Sequence, residues 1–251
     1  MRVGWLADRA SHVGGAELTQ AEFRAAAPEG VEVVDCEPGE RWECERYVVQ
    51  NCVTFSLGDL QQMEGSPAVK YWHDVGPHLQ PGVREWLDEN ARAVCCSMIQ
   101  AKYMGLRDFK LVPPPIDLSP FAAAENGQRA GTVSVASWRN FGKAPHKVAE
   151  WAAERGVEVD FFGGGVLAPK GSVEVPYSAM PELLARYERF VFLPTVIEPF
   201  GRIAMEAWAA GCEVVVNGLV GALDWMDSND PDATFRAIED ASADFWKLVL
   251  S

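Results

Sequence analysis

The chain has no apolar run near the roughly 20 residues that cross a bilayer, no CxxC pair and no GxGxxG loop. The first absence argues against an integral membrane segment. The second leaves six cysteines, Cys36, Cys44, Cys52, Cys95, Cys96 and Cys212, without metal-knuckle spacing. Cys36, Cys44 and Cys52 recur every eight residues, which matches no zinc site, so buried reduced thiols and no metal are expected. The third disfavours a dinucleotide-dependent oxidoreductase. Basic residues are also short: 22 Lys and Arg face 36 Asp and Glu, for a net charge of −14. The excess is even, with 11 basic and 18 acidic side chains in residues 1–122 and the same numbers after them. Such a surface repels phosphate backbones and anionic lipid at long range, although a local basic cleft survives a negative total. The opening MRVGWLADRASHVGG is no signal peptide, because Asp8 and Arg9 cut its apolar stretch short. A cytoplasmic protein is the expectation.

What is present is an ordinary globular composition over 251 residues, 48% hydrophobic and 23% charged. Short β-rich runs alternate with amphipathic stretches. Strands are expected at 3–7, 31–36, 47–50, 69–73, 93–97 and 110–113, with helices at 16–27, 81–91 and 97–106. AAAENGQRAG, residues 122–131, is small and polar and reads as a linker. A second series follows, with strands at 132–137, 157–162, 190–194 and 213–217 and helices at 143–155, 180–188 and 201–210. Residues 230–250 read as one closing helix. The pattern predicts an α/β chain of two Rossmann-like domains, 1–122 and 131–235, with 236–251 as the closing helix. Ligands of such sheets sit beyond the carboxyl ends of the strands, which puts the expected site in a cleft between the two domains.

The most informative segment is FVFLPTVIEPFGRIAMEAWAAGCEVVVNG, residues 190–218. A buried strand ends at Pro194, a loop follows, and a helix starts near Phe200 or Gly201. Glu198 stands at the helix entrance and Glu206 inside it, seven residues between them. A helix start offers unpaired N–H groups and a positive dipole end to a phosphate, and Gly201 leaves that approach open. Carboxylates are poor phosphate ligands but good acceptors for sugar hydroxyls. A nucleotide-diphosphate sugar presents both needs at once.

EPFGRIAME resembles the E-x7-E motif of retaining GT-B glycosyltransferases, specifically glycosyltransferase family 4. Further stretches are similar in the same order: VGGAE (13–17) to the family's glycine loop, VKYWHD (69–74) to its strand ending in histidine, and LVPPPIDLSPF (111–121) to the close of its first domain. SWRNFGK (137–143) is similar to the Arg and Lys segment that opens the second. The resemblance implies a GT-B fold whose parallel sheets face across a cleft, with the first domain on the acceptor side and the second binding the donor. It implies transfer of a sugar from a nucleotide-diphosphate sugar to an acceptor hydroxyl with retention, without a metal or a separate cofactor. Glu206 would hold the donor ribose and Glu198 face the transferred sugar. Arg139 and Lys143 would meet the diphosphate, with donors from Gly14, Gly15, Phe200 and Gly201. His73, with Asp74 beside it, would act at the reacting centre.

Two departures stand out. Arg139 and Lys143 are one residue closer than is usual in the family, so Lys147 is an alternative to one of them. Gly221-Ala222-Leu223-Asp224 replaces the family's usual glycine and acid. Loop 163–170 is expected to contact the donor base. Of the nine tryptophans only Trp72 and Trp138 adjoin motifs and are candidates for sugar stacking. His12, His78 and His146 read as surface residues. The acceptor is open: a soluble glycan or metabolite, a protein, or a hydroxymethylated base of viral DNA. The rivals are a non-catalytic nucleotide-sugar binder of the same fold and a nucleotide-sugar epimerase.

Overall fold

A computed structural model of the chain describes residues 1–8, 14–75, 79–124 and 129–251. Val13, His12 and His78 lie outside the described residues, as do 125–128 of the expected linker. The elements run β1 (Arg2–Leu6), α1 (Gly15–Ala25), β2 (Glu32–Asp35), β3 (Arg46–Val49), α2 (Leu57–Leu60), β4 (Ala68–Trp72), α3 (Val83–Asn90), β5 (Arg92–Cys95), α4 (Met98–Tyr103), β6 (Lys110–Leu111) and α5 (Ser119–Ala123). They continue with β7 (Thr132–Val135), α6 (Pro145–Arg155), β8 (Val159–Phe162), α7 (Met180–Leu184), β9 (Arg189–Phe192), α8 (Arg202–Ala209), β10 (Glu213–Val216), α9 (Pro231–Glu239) and α10 (Ala241–Leu250). The closing segment is thus two helices, not one. They meet at Asp240, whose backbone stays nearly helical at φ −76° and ψ −10°, so neither glycine nor proline marks the break.

The chain folds as two compact units, Met1–Ile116 with Arg236–Ser251, and Asp117–Phe235. The division falls ahead of the expected linker, because α5 packs on α7 and α8 and buries Phe121 there.

The first unit is a six-stranded parallel sheet in the order β2-β1-β3-β4-β5-β6. Strand alternation sends Trp5 and Tyr71 to one face, where α1 and α10 cover them. Phe245 of α10 stacks on Phe23 of α1 at 4.1 Å, and Trp246 Nε1 donates to the Phe23 carbonyl at 2.8 Å. The last carbonyls of α10 would lack partners. Arg46 and Arg92 donate to Val249 and Leu248 oxygens there at 3.0 and 3.1 Å, and their charge suits the helix's negative end. The other face buries Trp42, Phe55, Leu60, Trp72, Val83 and Leu87 with Cys36, Cys52 and Cys95. All six cysteines are free thiols, and only Cys44 is less than buried. Burial drives Cys36 up to about 12, with Cys44 beside it adding to the shift.

The second unit carries a four-stranded parallel sheet, order β10-β9-β7-β8. In both sheets the chain first winds to one side and then returns to the other side of its first strand. The reversal lies between β1 and β3 in the first unit and between β7 and β9 in the second. Loops diverge at such a reversal and leave a crevice at the carboxyl ends of those strands.

Candidate functional site

In the second unit the loops leaving β7 and β9 carry the residues that the sequence singled out. After β7 the chain turns through Phe141–Lys143, capped by Asn140, whose Oδ1 accepts from the Lys143 amide at 3.2 Å. After β9, Thr195 donates its amide to the Gly142 carbonyl at 2.9 Å, tying the two loops together. The Lys143 ammonium then hydrogen-bonds Glu198 Oε2, each side chain 22% exposed, and lies 5.6 Å from the Phe192 ring centroid. Next to Lys143, Ala144 has φ +46°, the single positive φ outside glycine among the described residues. A left-handed alanine costs about 1 kcal/mol or more, and such strain collects where a neighbour's position matters.

Arg139 is exposed on the same loop and forms no ion pair among the described residues. Lys147 turns away to Glu150 at 2.7 Å, so Lys143 is the lysine that meets Glu198.

Helix α8 begins just behind this pair. Its cap, Gly201, has φ +84°, and a Cβ there would lie 2.9 Å from Val220 Cγ1. The glycine is therefore demanded by the turn and by Val220, rather than by an incoming ligand as the sequence suggested. Glu198 and Phe200 are zipped to the following loop: Glu198 N donates to Leu219 O, Gly221 N to Glu198 O, and Ala222 N to Phe200 O, at 2.7–3.0 Å. That loop, Gly221–Asp224, forms a 3-10 turn against the helix entrance. The buried face of α8 is Arg202, Ala204, Met205, Glu206 and Ala207, with Ile203 and Trp208 only half-buried.

Glu206 is 1% exposed. Tyr177 donates its hydroxyl to Glu206 Oε1 at 2.7 Å, and Arg202 Nε lies 3.9 Å from the same oxygen. Burial, and then the Glu206 charge, push the Tyr177 hydroxyl well above the usual phenol range. Tyr177 and Arg202 are partners that the sequence reading missed. A tyrosine in the loop before α7 carries no spacing signal, and Arg202 is visible only as the i−4 neighbour of Glu206. Loop 163–170, expected at the donor base, starts with Gly163–Gly165, packed on the main chain of 136–139. Trp138 inside that contact is fully buried and donates to the Phe162 carbonyl at 2.9 Å. Trp72 is 1% exposed. Neither indole is a sugar platform; both are core.

The first unit holds the remaining candidates. Gly14 caps α1 with extended backbone, φ −128°. Its N–H is taken by Glu17 Oε2 at 2.8 Å, so it is no free donor, while Gly15 begins the helix and is exposed. His73 follows β4, half-buried, its ring 4.9 Å from that of Tyr71. Asp74 is exposed. Gln100 fixes this strand end by donating to the Trp72 and Asp74 carbonyls at 2.8 and 3.3 Å. A surface cavity of about 550 Å³ lined by Ala26, Pro28, Trp246 and Leu250 lies by the opposite end of α1 and holds none of these residues.

Among the described residues no three His, Cys, Asp or Glu side chains gather to hold a metal ion, and no helix is long and apolar enough to cross a membrane.

No protein-family model matches the chain, and a comparison with curated proteins finds no match. Solved structures do match. Anabaena Alr3699/HepE, crystallised with UDP and glucose, is 16% identical, with a TM-score of 0.64 over 99% of this chain and 95% of that one. AviGT4, a glycosyltransferase involved in avilamycin A biosynthesis, is 15% identical with a TM-score of 0.64, covering 99% and 92%. A glycosyltransferase from Rickettsia africae ESF-5 is 8% identical with a TM-score of 0.65, covering 99% and 93%. At these identities the likeness is one of fold: the two parallel-sheet units are those of the GT-B architecture.

Proposed function

We propose that the chain is a retaining glycosyltransferase that moves a sugar from a nucleotide-diphosphate sugar to an acceptor hydroxyl. The observation that carries this reading is the meeting of Lys143 and Glu198 where the second sheet reverses, immediately ahead of α8. A cation and a carboxylate side by side suit a ligand that is anionic at one point and hydroxylated at the next. Anabaena Alr3699/HepE, which shares the fold, was crystallised with UDP, and this supports the same ligand class.

In this proposal the bond from the anomeric carbon to the diphosphate breaks and its electron pair goes to the phosphate oxygen. Lys143 and Arg139 meet the charge that develops there, with the main chain at Phe200 and Gly201 alongside. Preorganised charge of this kind lowers the barrier because it needs no rearrangement as the bond breaks. The acceptor oxygen bonds to the anomeric carbon on the same face, and its proton passes to the leaving phosphate. Glu198 orients Lys143 and faces the sugar. Glu206 takes the ribose hydroxyls, for which the Tyr177 hydroxyl now stands in. From the first unit, His73 and Gly15 are proposed on the acceptor side, with Gly14 shaping the turn beside them, since its amide is taken by Glu17 and its carbonyl by the Leu18 amide. Beyond donor and acceptor no separate cofactor or metal is required, and the reaction is proposed for the cytoplasm. The net charge of −14 favours a soluble acceptor over one on a phosphate backbone.

Turnover of UDP-glucose and of other nucleotide sugars by the native protein and by Glu206→Ala tests the proposal. It predicts a loss of about a hundredfold or more in kcat/KM, the scale of one charge-assisted contact to substrate. Equal turnover in both would remove Glu206 from the site.

A further inference from the structure

The first sheet reverses between β1 and β3, and Gln50 is the residue that leaves β3 there. Its side chain is 1% exposed, and neither Oε1 nor Nε2 has a hydrogen-bond partner. A buried carboxamide left unpaired keeps the full penalty of leaving water, so such residues are rare in folded proteins. Near this edge Trp5 Nε1 and Trp72 Nε1 are also buried without a partner, but the fold satisfies several other polar groups around Gln50. Tyr71 donates to Val112 O at 3.0 Å, Thr19 to Gly15 O at 2.8 Å, and the Gln100 amide spans Cys96 and Trp72. Asp8, at the end of β1, is used by the amides of Val53 and Thr54 and by the Thr54 hydroxyl. The Gln50 main chain is used as well, its carbonyl accepting from the buried Lys70 ammonium. Of Gln50 itself, only the side-chain amide remains.

Register fixes which face it serves. Trp5 pairs with Val48 and Val48 with Val69, so by alternation Gln50 and Tyr71 issue on the face covered by α1, as does His73. That face meets the start of α1, where Gly14 and Gly15 stand. The fold thus groups Gln50 with the first-unit candidates, although nothing in the motif VVQNC marks it.

We infer that Gln50 is a ligand-contacting residue whose amide reads sugar hydroxyls at the carboxyl edge of the first sheet. A carboxamide offers two N–H donors and a carbonyl acceptor, and a hydroxyl both donates and accepts, so one amide spans a neighbouring pair of hydroxyls. The inference rests on the proposed transferase reading for its ligand class. The hydroxyls can belong to the donor's sugar or to the acceptor, and the test separates these sources.

Gln50→Met and Gln50→Leu remove the amide at similar volume. Both variants are expected to melt no lower than the native protein, because an orphaned polar group has been replaced by an apolar one. In transfer assays from UDP-glucose to free monosaccharides, KM is expected to rise about tenfold, the loss of one or two hydrogen bonds. A rise in the donor KM assigns the hydroxyls to the donor sugar, and a rise in the acceptor KM assigns them to the acceptor. A melting temperature several degrees lower in both variants, or both constants within about twofold of native, overturns the inference. Should the native protein neither turn over nor bind UDP, the transferase reading falls. Saturation-transfer NMR with glucose then decides Gln50 alone: binding lost in Gln50→Leu supports the inference, and binding that is equal in both proteins or absent from both overturns it.

Discussion

Gly201 stands between the two glutamates of the E-x7-E stretch, and its backbone, rather than its small size toward a ligand, explains its presence. With φ at +84° and Val220 Cγ1 2.9 Å from any added Cβ, Gly201→Ala combines a left-handed penalty with a clash. A loss of about 2 kcal/mol of stability is expected, read as a lower denaturant midpoint; an unchanged midpoint would contradict the assigned geometry. In the sequence, Glu198, Glu206, Arg139 and Lys143 stand out through the resemblance of EPFGRIAME and SWRNFGK to family motifs, since an acidic residue at a helix start is by itself most often structural; the structure brings Lys143 and Glu198 together. The sequence leaves Tyr177 and Gln50 invisible. Their significance lies in what they touch, or fail to touch, across the fold, and no local spacing encodes that.

At the level of elements, alternation of apolar runs made the strands readable to within a residue or two, since buried parallel strands must be apolar on both faces. The short helix α2 escaped notice, because four residues carry no period. Its start is held by a reciprocal cap: Asp59 Oδ2 accepts from the Ser56 amide and hydroxyl at 2.8 and 2.6 Å, and Ser56 Oγ accepts from the Asp59 amide at 3.2 Å. Burial alone would raise the Asp59 carboxyl, but the bonds from Ser56 and from the Gly39 amide outweigh it and hold the carboxyl below its usual range. A lowered folded pKa adds stability above the unfolded pKa of about 3.9 and gives it up as pH falls through the folded value. Asp59→Ala is therefore expected to cost about 1 kcal/mol near neutrality. The gap from native should narrow below about pH 4 in urea melts; a gap independent of pH would contradict the assignment.

On the scale of the whole molecule, the carboxyl-terminal helix α10 belongs to the first unit, more than two hundred residues from its partners α1 and β3 in sequence. The apolar residues of 230–250 announced a packed helix but not where it packs, since a sequence period fixes a face and not its neighbour. Phe245→Ala removes a fully buried ring stacked on Phe23 and should cost about 3–5 kcal/mol. Hydrogen exchange should report that loss in β1, β3 and β4 of the first unit. Exchange speeding up only in β7–β10 would contradict the division into units.

The central claim is that the crevice where β7 and β9 part, with Lys143 and Arg139 on its loops, receives a nucleoside diphosphate. Calorimetric titration of UDP into the native protein and into a variant carrying Arg139→Gln and Lys143→Gln tests it most directly, with matched thermal melts to show that both are folded. Saturable one-to-one binding, weakened at least about tenfold in the variant, is the predicted result, on the scale of removing charged partners from a phosphate. Binding of equal strength in both proteins, or none to the native chain, would contradict it.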